Sequence, residues 1–361
     1  MGAGWAQIRD AGKGSARWSA PRSRPLSVAL VTASLGARCQ WPTEQRPHQD
    51  TSLFACPLTP SYDISVSAHY ARPWDAMVFA AQIPHNTRKE QPPMKPHNYE
   101  LALMTTLQVE DYLKKGGTMV LVPVGSTEQH GPYGPLGTDH LIAQEVCRRV
   151  APELNALVAP PIPYALSILH RGRPGVVYVK MDSFMKYVQD VALALNESGF
   201  RRIVFVNGHY DNGPGVTFAL RSIYDRFTPG TFAFCFNYWD ALKWDEVGTY
   251  LGPEAGLHAN IGETAVMMRI NPDSVDMTEA VAGWPAPPED IETDKMVAII
   301  TTVMPLPSSM AYISPTGGWG DPREATPDKG EEYLQMITKA VVRFIRDIEK
   351  TYQKMYSQLN A

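Results

Sequence analysis

Residues 118–124 (TMVLVPV) run without a break into Gly125-Ser126-Thr127-Glu128-Gln129-His130-Gly131-Pro132-Tyr133-Gly134-Pro135-Leu136-Gly137-Thr138-Asp139. After them, residues 139–150 carry Leu141, Ile142, Val146 and Val150 at helical spacing. An apolar β-rich run, a Gly/Pro-rich loop and an amphipathic helix make the opening of a βα unit. The alternation continues downstream. Segments 156–162 and 176–179 read as strands, 183–196 as an amphipathic helix stopped by Gly199, and 202–207 (RIVFVN) as the clearest buried strand. Segment 216–227 reads as helix and 231–236 as strand. Upstream, 109–115 reads as a short helix capped by Thr106 and closed by Gly116-Gly117. At the far end, 331 to about 358 is a long helix with Ile337, Val341, Phe344 and Ile348 on one face. Strands separated by helices predict an α/β fold, three layers α/β/α, whose mostly parallel sheet is covered on both faces. No internal repeat is visible.

Length and composition allow one large domain or two modest ones, with a different segment ahead of the organised part. The chain has 361 residues, 44% hydrophobic and 19% charged, enough apolar material for a sizeable core. Residues 1–93 hold ten Lys/Arg against six Asp/Glu, a net of +4 that leaves −8 for the rest of a chain whose total is −4. They show neither a helical nor a strand period, and are expected to form a poorly structured extension. Arg17, Arg22 and Arg24 ahead of the mildly apolar run 26–37 give the outline of a signal peptide, and an Arg- and Ser-rich transit peptide is the other targeting reading. The plainer reading is an upstream extension, with organised sequence and the domain itself spanning 94–361. No basic excess points to nucleic acid, and no apolar run approaches the roughly 18 residues of a membrane span. Cys39, Cys56, Cys147 and Cys235 lack CxxC spacing, so reduced thiols, a reducing compartment and a cytoplasmic location are expected.

Two loops concentrate metal-ligand chemistry. Glu128 and His130 stand two apart after one strand, and side chains at i and i+2 of extended backbone share a side. The glycines and prolines of that loop turn it sharply enough to fold Asp139 back toward Glu128. After the strand 202–207 come His209 and Asp211, again two apart. Ligands of open α/β sheets bind outside the C-terminal ends of strands. Five mixed nitrogen and oxygen donors suit zinc or manganese, as two ions sharing a carboxylate. The structural alternatives are that Asp139 caps its helix and that His209 and Asp211 are turn residues. A third segment, Leu257-His258-Ala259-Asn260-Ile261-Gly262-Glu263-Thr264, places His258 five residues before Glu263. Here a proton shuttle with a ligand or orienting carboxylate competes with a hydrogen-bonded loop histidine and a first-turn acid favoured by the helix dipole.

In this order the three segments resemble the creatininase (creatinine amidohydrolase) family. Its pattern G-S-x-E-x-H-G-P-x-x-P-x-G-T-D is matched from Gly125 to Asp139; its second pattern, N-G-H followed by G-G-N or, in creatininase itself, Y-E-N, is met from Asn207 to Asn212, nearer the creatininase form with Asp211 for the Glu. Its H-A-G-x-x-E-T pattern is matched from His258 to Thr264, with Asn260 in place of glycine. The resemblance spans roughly 100–348. It implies one divalent ion (Zn2+ and/or Mn2+) on Glu128, Asp139 and His209, a second on His130, Asp139 and Asp211, and a proton-shuttling His258. Asp211 stands where creatininase carries a Glu, one methylene longer, so it must reach further or ligate through water, and Glu263 is placed to make up the shortfall. Leu257 replaces a Glu of creatininase. Trp239 or Trp244 is the candidate for one substrate-flanking tryptophan, and Glu254 stands where the other is expected.

The implied activity is metal-dependent hydrolysis of an amide C–N bond, in a cyclic, creatinine-like substrate. Water made acidic at the ions attacks the carbonyl, and His258 gives a proton to the departing nitrogen. Tyr210, His170, Arg171 and Trp319 join the substrate-contacting candidates. His170, Arg171 and Arg173 share a Gly/Pro loop, where solvated charge is the alternative for the arginines. The loop 314–322 either closes over the site or is a surface turn with Trp319 packed on a neighbouring subunit. A formamide deformylase or acyclic amidase of the same family, and a non-catalytic metal-stabilised binding module, are the competing functions. The expected partners are a small-molecule amide and further copies of the chain, a homo-oligomer and in this family often a hexamer.

Overall fold

A computed structural model describes residues 99–252, 255–284 and 314–359. The extension 1–93, Cys39, Cys56 and Glu254 lie outside the described residues. Four strands, β1 (Met119–Val124), β2 (Ala156–Val158), β3 (Arg202–Asn207) and β4 (Phe232–Asn237), form one parallel sheet in the order β2-β1-β3-β4. Met119 is in register with both Ala156 and Arg202, and Arg202 with Phe232, so Val124, Asn207 and Asn237 end side by side. The chain leaves β1 to one side for β2, then crosses to β3 on the other. The winding therefore reverses between β1 and β3, and a crevice opens outside their C-terminal ends.

Both faces of the sheet are covered, which is why β1 and β3 are continuous apolar runs. Met119, Leu121, Val204 and Val206 face a core closed by α2 (Thr138–Leu154), α6 (Ile261–Ile270) and the terminal helix α7 (Pro327–Leu359). Val120, Val122, Ile203 and Phe205 face a second core closed by α1 (Thr106–Lys114), α3 (Met181–Glu197) and α4 (Asn212–Arg221). The three-layer α/β/α expectation is met. A short helix, α5 (Trp244–Tyr250), and a small antiparallel pair, β5 (Gly256–His258) with β6 (Trp319–Gly320), complete the elements used below.

Several boundaries differ from expectation. The second strand stops at Val158 because Pro160 and Pro161 have no N–H for the ladder, and Ile162 returns only as an isolated bridge to Val124. Segment 176–179 is not a strand; Val177 and Tyr178 make single bridges to Thr127 and Ala165. The cap of α1 is Thr105, not Thr106, in a capping box with Gln108. Helix α4 begins at Asn212 and ends at Arg221, short of 227. Helix α7 begins four residues early, at Pro327, since a first-turn proline has no helical N–H bond to lose.

Candidate metal centre

The ligand-bearing loop after β1 folds back on itself. Gly131 takes a positive φ of 64°, and the Gly134 N–H donates to the His130 carbonyl (3.0 Å). The Glu128 N–H donates to the Leu136 carbonyl (2.9 Å), which returns the chain to the start of α2 and puts Asp139 in its first turn. Close backbone approach completes the arrangement. A Cβ on Gly125 would run into the His140 backbone, and one on Gly208 into the Asp139 carbonyl oxygen. The ends of β1 and β3 are thereby pressed against the first turn of α2. Asn212 ties them together, donating to the Gly125 carbonyl (2.9 Å) and accepting from the Leu166 N–H (3.1 Å).

Glu128, His130, Asp139, His209 and Glu263 converge here, each less than a tenth exposed. His209 Nδ1 lies 3.1 Å from Glu128 Oε2 and 3.0 Å from Asp139 Oδ2, and His130 Nε2 lies 3.0 Å from Asp139 Oδ1 and 4.0 Å from Glu263 Oε1. His258 Nδ1 is 3.7 Å from Glu128 Oε1. The other nitrogen of each of these rings is within reach of a backbone carbonyl: His209 Nε2 of Leu166 O (2.9 Å), His130 Nδ1 of Glu128 O (3.3 Å) and His258 Nε2 of Gln129 O (2.8 Å). A carbonyl only accepts, so it assigns the ring proton to the nitrogen beside it. Each neutral ring then aims its lone pair at carboxylate oxygens. Such an arrangement is repulsive unless a proton or a metal ion lies between them, and it is the outer-sphere pattern of metal-binding histidines. Glu128 Oε2 and His130 Nε2 are buried with no hydrogen-bond partner among the described residues. The donor set therefore fits a divalent metal.

The protonation energetics follow from the same packing. Burial raises the Glu128 carboxyl, but His170 and His209 outweigh it and hold it at about 2. Burial likewise opposes a charge on His130, yet Asp139 carries it up to about 9. Asp139 is held well below the usual carboxylate range, with burial opposed by His130 and His209. Burial pushes Glu263 up to about 7. Burial, then the neighbouring His130 and His170, keep His258 well below the ordinary histidine value, as a neutral base.

Of the remaining site candidates, His170 is buried and joins the centre, with Nε2 3.3 Å from Glu128 Oε1 and Nδ1 2.9 Å from Gln129 Nε2. Asp211 does not join. It lies in the electrostatic reach of His209 and Glu128, and burial raises its carboxyl, but it belongs to none of the close groups of donors. Tyr210 is 61% exposed, and Arg171 is exposed beside His170. Arg173 instead donates to the carbonyls of Ser314 and Pro315 (3.3 and 2.8 Å). Trp239 packs edge-on to Tyr238 against the α2/α6/α7 core, Trp244 is exposed, and Trp319 pairs with His258 through the β5–β6 ladder.

Sequence reading passed over two residues. Ser126 Oγ donates to Asp139 Oδ2 (2.7 Å). Gln129 Nε2 donates to the Gly317 carbonyl (2.8 Å), linking the loop 314–320 to the residue whose amide meets His170 and whose carbonyl meets His258. Their position inside the ligand-bearing loop was the available signal.

Comparison with known proteins follows this geometry. The creatininase family (creatinine amidohydrolase) matches residues 102–345. Creatinine amidohydrolase of Pseudomonas putida is 28% identical over 260 residues, covering 68% of this chain and 95% of that protein. A mycofactocin precursor peptide peptidase of Mycolicibacterium smegmatis is 33% identical over 238 residues, covering 63% of this chain and 85% of its own. Two solved creatininase structures, a mutant of Zn-Zn type and a manganese form, are each 27% identical with a TM-score of 0.59. They cover 69% of this chain and 97% and 98% of theirs.

Proposed function

The chain belongs to the creatininase family of amidohydrolases, and from that premise we propose that it hydrolyses the C–N bond of a small amide, in a cyclic creatinine-like substrate, at a binuclear Zn2+ or Mn2+ centre. The observation that carries the reading is the set of three histidines with one ring nitrogen on a backbone carbonyl and the other aimed at buried carboxylates. Glu128, Asp139 and His209 would hold one ion, and His130 and Asp139 would hold the second. When bound, the ions supply Lewis acidity toward the carbonyl and water acidic enough to attack near neutral pH.

The chain's own residues do the rest. Asp139 turns Oδ1 to His130 and Oδ2 to His209, so it would serve both ions. The Gln129 carbonyl holds the proton of His258 on Nε2, leaving Nδ1 as the atom that takes up a proton and passes it to the departing nitrogen. His170 Nε2–H points at Glu128 Oε1 and steadies that carboxylate. Arg171 and Tyr210, both exposed next to buried site histidines, meet the substrate first, with Trp239 and Trp319 as its flanking aromatics. The latch from Gln129 to Gly317 keeps the loop 314–320 over the site and limits water.

A linear amide is the second reading, as a formamide deformylase or acyclic amidase. The peptidase relative and Leu257, which replaces a Glu of creatininase, favour it. The test is metal analysis of the purified full chain, followed by assays on creatinine, other cyclic amides, formamides and short peptides. About two ions per chain are expected, with turnover lost on chelation and restored by Zn2+ or Mn2+. His258→Ala should keep its ions and lose turnover at least a hundredfold, within the usual range for a general acid–base group. Metal without turnover on any amide would point to a binding module instead.

A further inference from the structure

We propose that Tyr133 is a positioning residue for His258: by holding the carbonyl of Ala259, its hydroxyl keeps the turn behind His258 in a left-handed conformation and the imidazole beside Glu128. The inference rests on the reading of His258 as the proton carrier and deepens it.

The backbone after β5 turns at Ala259, whose φ is 49°. Glycine enters that region freely, but alanine seldom does, because its Cβ crowds the following carbonyl oxygen. The neighbouring groups hold it there. The Ala259 N–H donates to Glu263 Oε2 (2.7 Å), and the Ala259 carbonyl accepts the Tyr133 hydroxyl. The buried Asn260 side chain accepts the Glu263 N–H (2.9 Å) and donates to the carbonyls of Tyr250 and Gly256 (2.9 and 2.8 Å). Asn260 therefore closes the segment 256–260 at its base. Glu263 and Tyr133 fix the planes of the two peptide groups that flank Ala259, and the first of these begins at His258.

The imidazole has little latitude once the turn is set. Its centroid lies 4.4 Å from that of His130 and 4.7 Å from that of His170, with Nε2 on the Gln129 carbonyl. A change in the peptide planes behind it would break that bond or carry Nδ1 away from Glu128. Tyr133 is suited to prevent this. It is 2% exposed, its own carbonyl accepts the Asp276 N–H (3.0 Å), and its ring fills the space that a Cβ on Gly131 would need. It stands in the same loop as Glu128 and His130, so the loop that carries these donors also sets their distance from His258. The hydroxyl makes no other hydrogen bond among the described residues. Its influence on turnover would thus pass through Ala259 to His258.

The test combines two measurements on zinc-loaded full-length protein. The first is steady-state kinetics on whichever of creatinine, formamides or short peptides wild type turns over. The second is 15N NMR of histidine-labelled protein, with the His258 signal assigned by its loss in His258→Ala. Tyr133→Phe keeps the ring and removes the hydroxyl. It should lower kcat about 10- to 100-fold, as a small misplacement of a reacting group does, with KM and bound zinc unchanged. Glycine takes a positive φ without strain, so in an Ala259→Gly background the same loss of the hydroxyl should cost about threefold at most. The His258 Nε2–H should exchange with water on the order of tenfold faster in Tyr133→Phe, because its bond to the Gln129 carbonyl opens more often. Wild-type kcat in Tyr133→Phe, a change in KM alone, loss of zinc, or an equal loss of kcat in both backgrounds would overturn the proposal. Wild type that turns over no amide would remove the hydrolase reading, and the exchange rate of His258 Nε2–H would then decide by itself whether Tyr133 holds the ring.

Discussion

Ser126 shows how much of this centre depends on groups that would never touch an ion. Its hydroxyl donates to Asp139 Oδ2, the oxygen that also faces His209, and is completely buried, so it fixes the orientation of that carboxylate. Ser126→Ala is expected to weaken metal retention about 10- to 100-fold, the usual cost of losing an outer partner, as read by competition with a chromogenic chelator. Retention equal to wild type would mean that Asp139 is oriented by its helix alone. At this scale the sequence was a good guide to Glu128, His130, Asp139 and His209, because each lies within a few residues of a strand end and i, i+2 pairs share a side. It was a poor guide to Glu263 lying beside His130 and Asp139 while Asp211 stays outside the close donor groups. That placement depends on where α6 docks relative to α2, a tertiary fact with no local signature. Gln129 was hidden for a related reason: a lone amide carries no motif, and its importance lies in contacts as distant in sequence as Gly317.

Among the elements, α7 matters most beyond its apolar stripe. Glu331 in its second turn receives two hydrogen bonds from Arg149 of α2 (2.8 and 3.0 Å) and one from Arg269 of α6 (2.8 Å). Chiefly through Arg149, its carboxyl is held at about 2, below its ordinary 4.5. A depressed carboxylate contributes stability that is complete above the unfolded value and is lost as pH falls toward the folded one. Glu331→Gln should therefore unfold about 1 kcal/mol more easily at pH 7, a figure reduced for partial exposure, and the difference should vanish between pH 4.5 and 2. Denaturant titrations of both proteins across that range would reveal it, and a gap independent of pH would assign the effect to packing. The sheet, α2, α3 and α7 were legible because their apolar periods are long and unambiguous. The strand at 176–179 and the full length of 156–162 were misread because β-branched or apolar runs also occur in extended loops, where prolines or missing neighbours prevent a ladder. Helix α5 has seven residues and an exposed Trp244, too short and too mixed for a period to emerge.

For the whole molecule, the proposal is that residues 94–361 are the complete functional unit. A chain beginning at Met94 should melt within a degree or two of the full-length protein and hold the same number of ions, checked by calorimetry and metal analysis. Loss of metal or of cooperative melting would make the first 93 residues part of the domain. The buried donors of the centre come from the loop after β1, the first turn of α2, the loop after β3 and the first turn of α6, segments separated by up to 135 positions from Glu128 to Glu263. Whatever occupies the centre ties these segments to one point, as a cross-link does. An ion present at a thousand times its dissociation constant adds about 4 kcal/mol to the folded state, comparable to a large share of a domain's net stability. With a divalent ion as that occupant, metal supply would govern more than the fraction of active molecules: it would also set how long each chain resists proteolysis.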